Sequence, residues 1–219
     1  MTKNEKLDDL FISWINRTVC PANRFHKDGI INEVFFDKSN IKVLYLMKEA
    51  NNAGGDSWDF REWFSEEIKY TFAKKLRDLS FGFQYDFPPF DERGKRKEDL
   101  VASFHSSAFM NIKKTGGKGN SSFKEVMQYT AEHLDLIHAE IQIINPDIIV
   151  CGLSWQKLRD LIFPDAKWHK SGYNLPIGEW KDYKLIDYYH PSSRIVSSAF
   201  YSLMQNVVRH NAGIFKLKN

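Results

Sequence analysis

The chain has 219 residues, of which 42% are hydrophobic and 27% are charged, and its formal net charge is +3. This length suits one domain that buries enough apolar surface to fold without a metal or a disulfide. Two cysteines, Cys20 and Cys151, are too few for a disulfide framework or a four-cysteine cluster. The N-terminus lacks an apolar signal-peptide core, and no apolar run approaches the ~20 residues that span a bilayer. We therefore expect a cytoplasmic protein that does not enter membranes and needs no metal or organic cofactor.

The first half of the chain predicts one helix, one strand and a helical insertion. Apolar residues over 7–15 recur at helical spacing, and the aliphatic run 41–47 predicts the first central strand. Apolar and aromatic residues again recur at helical spacing over 58–79. The stretch 80–100 contains two consecutive prolines and a mixed-charge run, so it predicts a long loop.

The second half alternates strands with helices. Ser122 opens a capping-box pattern that predicts a helix reaching about residue 144. Strands are predicted at 106–112, 147–152 and 183–189, and further helices at 155–163 and 195–210. Helices between successive strands indicate parallel pairing with right-handed crossovers. We therefore predict a single α/β domain over 1–219, a three-layer α/β/α sandwich with a central four-stranded parallel sheet and an insertion at about 58–100.

Three of the predicted strands end in polar or glycine-rich loops. These loops are 48–55, 111–120 and 190–194, and parallel topology brings them to one edge of the sheet, where open α/β sheets bind ligands. Asn51 and Asn111 offer amide groups that can read the edge of a planar ligand. The acid-free stretch 110–124 carries four lysines, which can face phosphates, although charge alone favours an ordinary solvated surface.

The loop motifs together resemble those of the uracil-DNA glycosylase superfamily. His190-Pro191-Ser192-Ser193-Arg194 is close to the late His-Pro-Ser-x-Arg motif of its single-strand-selective branch, and Lys48-Glu49-Ala50-Asn51 stands where thermophile-type members have Gly-Glu-Ala-Pro. Asn111-Ile112-Lys113-Lys114 resembles an Asn-x-x-Lys segment of the same family, and 144–152 resembles its third strand and following glycine. The resemblance covers about residues 41–210 and implies a uracil-DNA glycosylase-like fold.

The resemblance also implies an activity, which is hydrolysis of the N-glycosidic bond of uracil or another modified base flipped from single- or double-stranded DNA. It implies a monomer and three groups of site residues. The catalytic group comprises His190, Asn51 and Glu49; the base-binding group comprises Asn111, Glu49 and Ala50; and the phosphate-binding group comprises Ser192, Ser193, Arg194, Lys113, Lys114 and Lys118. Ala50 occupies the position where many members place the Asp or Asn that positions the water. Trp58, Phe60 or Phe87 is a candidate for stacking on the base.

Two other functions fit parts of the same sequence. Ser57 with Asp187 and His190 resembles the nucleophile and Asp-x-x-His pair of GDSL-type serine esterases, which implies acyl transfer through a Ser–His–Asp triad. A non-catalytic nucleic-acid-binding module would instead use Lys113, Lys114 and Arg194 for salt-dependent binding.

Overall fold

The fold is α/β, with helices packed on a mixed seven-stranded sheet. The computed structural model describes residues 1–18, 22–52, 55–66, 68–117 and 119–215. The strands are β1 Gly29–Ile30, β2 Val43–Asn51, β3 Ser107–Gly117, β4 Ile148–Cys151, β5 Lys167–Lys170, β6 Pro176–Trp180 and β7 Tyr183–Asp187. The helices are α1 Lys3–Thr18, α2 Glu33–Lys38, α3 Phe60–Ser65, α4 Thr71–Gln84, α5 Lys97–His105, α6 Phe123–Glu132, α7 Leu134–Ile144, α8 Gln156–Ile162, α9 Ser197–His210 and α10 Ala212–Phe215.

The sheet is larger than the four-stranded parallel sheet expected from the sequence. Its order is β1-β3-β2-β4-β7-β6-β5, with parallel pairing from β3 to β7 and antiparallel pairing at both edges. The three unexpected strands lack the sequence signals of strands. β1 has only two residues, β5 reads Lys-Trp-His-Lys, and β6 begins with a proline. Edge strands are often short or polar, because charged residues there discourage pairing with other chains.

Alternation along the central strands builds a hydrophobic core on each face of the sheet. Val43, Tyr45 and Met47 of β2 join the core beneath α4 and α9, whereas Leu44 and Leu46 join the core beneath α1 and α7. Such runs, apolar on both faces, are typical of strands covered by helices on both sides. Within the described ranges, no helix is both long and apolar enough to cross a bilayer.

The 58–100 segment is mostly helical, including the part predicted as a loop. It contains α3, α4, a 3₁₀ helix at Phe90–Lys95 and the start of α5. α4 is followed by a tight turn in which the Phe87 N–H donates to the carbonyl of Gly82 and the Phe87 ring packs where a Cβ at Gly82 would lie. The helical pattern of α5 was hidden by the charged residues at its start. The helix predicted over 122–144 is likewise two helices, α6 and α7, separated at His133.

Candidate functional site

A cavity of about 430 Å³ opens at the carboxyl ends of β2 and β3, beside the loop that follows β7. Its volume falls in the range of pockets that enclose small-molecule ligands. All three predicted loops contribute to its lining, but the lining residues from 48–55 and 111–120 lie in β2 and β3, which extend beyond their predicted ends at 47 and 112. Of the predicted catalytic and base-binding residues, the structure brings Glu49, Ala50, Asn51, Asn111 and His190 to this one cavity.

Strand register explains why the polar groups of the cavity floor meet. In the parallel pairing of β2 with β3, Met47 lies opposite Asn111 and Glu49 lies opposite Lys113. Successive side chains of a strand point to opposite faces. The odd-numbered residues at this end of β3 therefore face the cavity, while the even-numbered ones face the core beneath α1 and α7.

Asn111 places an unpaired amide in the wall of the cavity. The residue is 2% exposed, and its main-chain N–H donates to Asp28 Oδ2 over 2.7 Å. Its side-chain Nδ2 is buried and has no hydrogen-bond partner among the described residues. Because an unpaired buried polar group is costly, this amide favours a ligand that presents a complementary polar edge.

Glu49 is a buried carboxylate held by an ion pair. Lys113 Nζ donates to Glu49 Oε2 over 2.7 Å, and the Glu49 side chain is only 4% exposed. A Cβ added at Gly117 would overlap this carboxylate, so a larger residue there would displace the Glu49 side chain. The pairing neutralises a charge at the cavity floor and fixes the carboxylate in one orientation.

His190 is a neutral ring with a defined tautomer. The Ser192 N–H donates to His190 Nδ1 over 3.1 Å, so the proton of the neutral ring lies on Nε2. Burial first, and then the charges of Lys48 and Lys75, lower the His190 pKa to about 4. At neutral pH the ring therefore offers an Nε2–H donor without carrying a charge.

Aromatic side chains form the remaining wall of the cavity. Trp58 and Trp63 stack with ring centres 6.4 Å apart, and Trp63 stacks on Phe72 at 5.7 Å. Trp58 and Tyr70 are 42% and 57% exposed, respectively. The aromatic residues that line the cavity from the 58–100 segment are Trp58, Phe60, Trp63, Tyr70 and Phe72. Aromatic faces of this kind stack on planar ligands such as bases.

Sequence reasoning identified only part of this aromatic wall. Trp58 and Phe60 were stacking candidates and both line the cavity, whereas Phe87 is buried against Tyr201, with ring centres 5.4 Å apart. Trp63, Tyr70 and Phe72 were missed as site residues. The density of aromatic residues over 58–72 was the available signal, but helical spacing alone does not distinguish a cavity wall from core packing.

The residues predicted to bind phosphate separate into different environments. Ser192 and Arg194 are exposed in the loop after β7, where a phosphate can approach them. Ser193 Oγ is buried without a hydrogen-bond partner among the described residues, and Lys113 is engaged by Glu49. Lys118 lies outside the residues that the structure describes.

The prediction that Lys114 binds phosphate is wrong. Its side chain is fully buried, with Nζ 2.5 Å from Asp28 Oδ1 and 2.9 Å from Glu140 Oε1, and 4.9 Å from the centre of the Trp14 ring. It points to the opposite face from the cavity because it is an even-numbered residue of β3. A lysine in this position stabilises the core and does not reach a phosphate at the surface.

The serine-esterase arrangement is not assembled. Asp187 Oδ2 accepts a hydrogen bond from Arg159 over 2.7 Å, and His190 Nδ1 accepts from a main-chain N–H, so no Asp–His hydrogen bond forms. Ser57 is not among the described residues that line the cavity, and its N–H donates to the carbonyl of Asn23. The helix that follows Ser57 is capped by Asp59. These contacts remove the triad as a candidate.

Comparison with models of known protein families, with curated proteins and with solved structures gave no match to this chain. Across the described ranges, no group of three or more His, Cys, Asp or Glu side chains is arranged to hold a metal ion. The geometry and side chains of the cavity are therefore what bears on function.

Proposed function

We propose that this protein is a DNA glycosylase-like hydrolase that excises a flipped base by hydrolysing its N-glycosidic bond. The observation that carries the proposal is the pairing of two donors in one cavity, the unpartnered Asn111 amide and the Nε2–H of neutral His190. A base edge that carries carbonyl oxygens and ring nitrogens complements such groups. The aromatic wall beside them suits the flat face of a base.

In this mechanism the base enters the cavity and its polar edge pairs with Asn111. The C1′–N bond breaks with both electrons leaving on the base, which makes the sugar oxocarbenium-like. His190 Nε2–H stabilises the negative charge that develops on the base, and its fixed orientation means that little reorganisation is needed. Water then adds to C1′ as hydroxide, and its proton goes to the departing base. The products are a free base and an abasic site.

We assign Glu49 and Asn51, which both line the cavity, to the attacking water. Glu49 accepts from Lys113 through one oxygen, and its second oxygen remains a potential acceptor for water. Asn51 is exposed at the end of β2 and also lines the cavity. Exposed Ser192 and Arg194 would hold the phosphates beside the flipped nucleotide, which makes DNA the proposed partner.

The uracil-DNA glycosylase-like architecture is part of the proposal. Its support is the parallel pairing of β3, β2, β4 and β7, together with a cavity built from the carboxyl ends of β2 and β3 and the loop after β7. Sites at the carboxyl ends of parallel strands recur in open α/β sheets that bind very different ligands. The fold alone therefore does not determine which reaction is catalysed. The side chains of the cavity determine it.

The test is an abasic-site assay on single- and double-stranded oligonucleotides that carry uracil, hypoxanthine or larger modified pyrimidines. We expect cleavable abasic sites with the wild-type protein and at least a hundredfold loss in His190→Ala and Asn111→Ala. Matched controls are His169→Ala and Asn206→Ala, which change an exposed histidine and an exposed asparagine outside the cavity. Salt-sensitive DNA binding without abasic sites on any substrate would overturn the proposal in favour of a binding module.

A further inference from the structure

Lys75 of α4 is a buried cation that contacts the loop carrying His190. It is 2% exposed, its Nζ donates to the main-chain oxygen of Ser193 over 2.7 Å, and Nζ lies 4.9 Å from the centre of the Phe200 ring. Among the described residues, no carboxylate lies within ion-pair distance of it. Burial lowers the Lys75 pKa from its ordinary value. Burying an ammonium without a carboxylate partner costs desolvation free energy, so such a residue is a candidate for a specific role.

The oxygen that Lys75 contacts belongs to the turn that fixes the His190 ring. The Ser193 N–H donates to the His190 carbonyl over 2.8 Å, and the Ser192 N–H donates to His190 Nδ1 over 3.1 Å. Lys75 therefore contacts the far end of the same short turn that sets the tautomer of the ring. Its charge also disfavours protonation of that ring.

We propose that Lys75 is a positioning residue, whose hydrogen bond to Ser193 holds the His190–Ser193 turn and whose charge, with burial and Lys48, favours the neutral ring that presents Nε2–H to the cavity. Its consequence for catalysis rests on the proposed function, but the state of the ring is measurable without any substrate. Lys75 lies in the 58–100 segment. This segment therefore contributes both the aromatic lining of the cavity and a contact that supports the loop of His190.

Other charges near His190 do not duplicate this arrangement. Lys48 of β2 also disfavours protonation of His190, but its Nζ lies over the Trp155 ring, 4.3 Å from the centre. The nearby carboxylates are already engaged, Asp187 by Arg159 and Glu49 by Lys113. Of the two lysines that act on the ring, Lys75 is the one that also hydrogen-bonds its turn.

The experiment is an NMR titration of the His190 imidazole in the full chain, with the resonance assigned by its loss in His190→Gln. In Lys75→Met we expect the pKa of His190 to rise from about 4 toward its ordinary value of 6.5, by a clearly measurable fraction of a unit. Lys74→Met is the matched control, because Lys74 is the exposed neighbour on the same helix, and it should leave the pKa unchanged.

Lys75→Gln separates position from charge, since the amide retains a donor for the Ser193 oxygen but carries no charge. We expect it to raise the pKa of His190 as Lys75→Met does while preserving more of the excision rate, and it serves as the test if Lys75→Met does not fold. A folded Lys75→Met or Lys75→Gln protein with an unchanged His190 pKa would overturn the inference. If the pKa moves but the wild-type protein excises no base, the inference stands and the proposed function fails.

Discussion

Lys113 and Lys114 are neighbours in the chain but form ion pairs on opposite faces of the sheet. Lys113 pairs with Glu49 at the floor of the cavity, whereas Lys114 pairs with Asp28 and Glu140 in the core beneath α1 and α7. The two-residue period of β3 produces this separation. Two lysines that look like one basic patch in the sequence therefore have different roles. Lys113 holds Glu49 at the site, and Lys114 forms ion pairs in the core.

Lys114→Met should destabilise the fold by about 3–5 kcal/mol, because it leaves Asp28 and Glu140 buried without their cation. Urea unfolding monitored by tryptophan fluorescence measures the change. Lys184→Met is the control, since Lys184 is a strand lysine in a half-exposed pair with Glu179, and it should cost less than about 1 kcal/mol. A loss as small in Lys114→Met as in the control would contradict the stabilising role of the buried cluster.

The depressed pKa of His190 predicts a pH dependence of stability. The folded ring takes up its proton near pH 4, whereas the unfolded ring does so near 6.5, so between these values the unfolded state binds more protons. The contribution of His190 to the free energy of unfolding is therefore fully present above about pH 6.5 and is lost as the pH falls toward 4. The loss is up to about 3 kcal/mol, at 1.36 kcal/mol per pKa unit.

The measurement is the free energy of unfolding of the wild-type protein and of His190→Gln between pH 4 and 7. The glutamine variant should show a flatter dependence, because its side chain does not titrate. His26 and His105, whose pKa values burial also lowers, contribute equally to both proteins and cancel in the comparison. Parallel curves for the two proteins would show that His190 is not held neutral by the fold.

The central strands and the loops that follow them were predictable because their signals are local. The run Val43–Met47 is apolar, and the polar residues that follow such runs had to meet at one edge of the sheet, although in β2 and β3 they continue the strand. β5 and β6 were not predictable, since β5 reads Lys-Trp-His-Lys and β6 begins with proline. β6 pairs with β7, and β5 pairs in turn with β6. Strand formation there depends on a neighbour that local sequence does not show.

Some residues of the cavity were also predictable from local sequence signals, and others were not. Glu49 and Asn111 lie near the carboxyl ends of β2 and β3, His190 follows β7, and all three were identified. Lys75 was missed because a lysine in an amphipathic helix is normally exposed. Its spacing did carry a signal, since Lys75 lies three residues after Phe72 and four before Leu79, on the helix face that these apolar residues share. A lysine on an apolar face predicts burial, and burial of an ammonium predicts a specific partner.

Gly117→Ala should impair the site while leaving the fold nearly intact. The added Cβ would overlap the Glu49 carboxylate and push it from its position beside Lys113, so we expect at least a tenfold lower excision rate. Gly94→Ala is the control, because a Cβ at Gly94 meets nothing within 4 Å. Thermal melts of both variants should stay close to the wild type. Full activity in a folded Gly117→Ala protein would show that the orientation of Glu49 does not matter for the reaction.

Trp58→Ala tests whether the aromatic wall stacks on nucleic acid. Trp58 is 42% exposed at the cavity and packs on Trp63, so removing it should weaken binding of a short single-stranded oligonucleotide by about 1–3 kcal/mol, the value of one base stacked on an aromatic ring. Tyr173→Ala removes an exposed aromatic ring outside the cavity lining and should leave the affinity unchanged. Titrations at two salt concentrations separate stacking from phosphate contacts, because only the latter weaken steeply with salt. An equal loss in both variants would point to non-specific binding and remove the aromatic wall from the nucleic-acid interface.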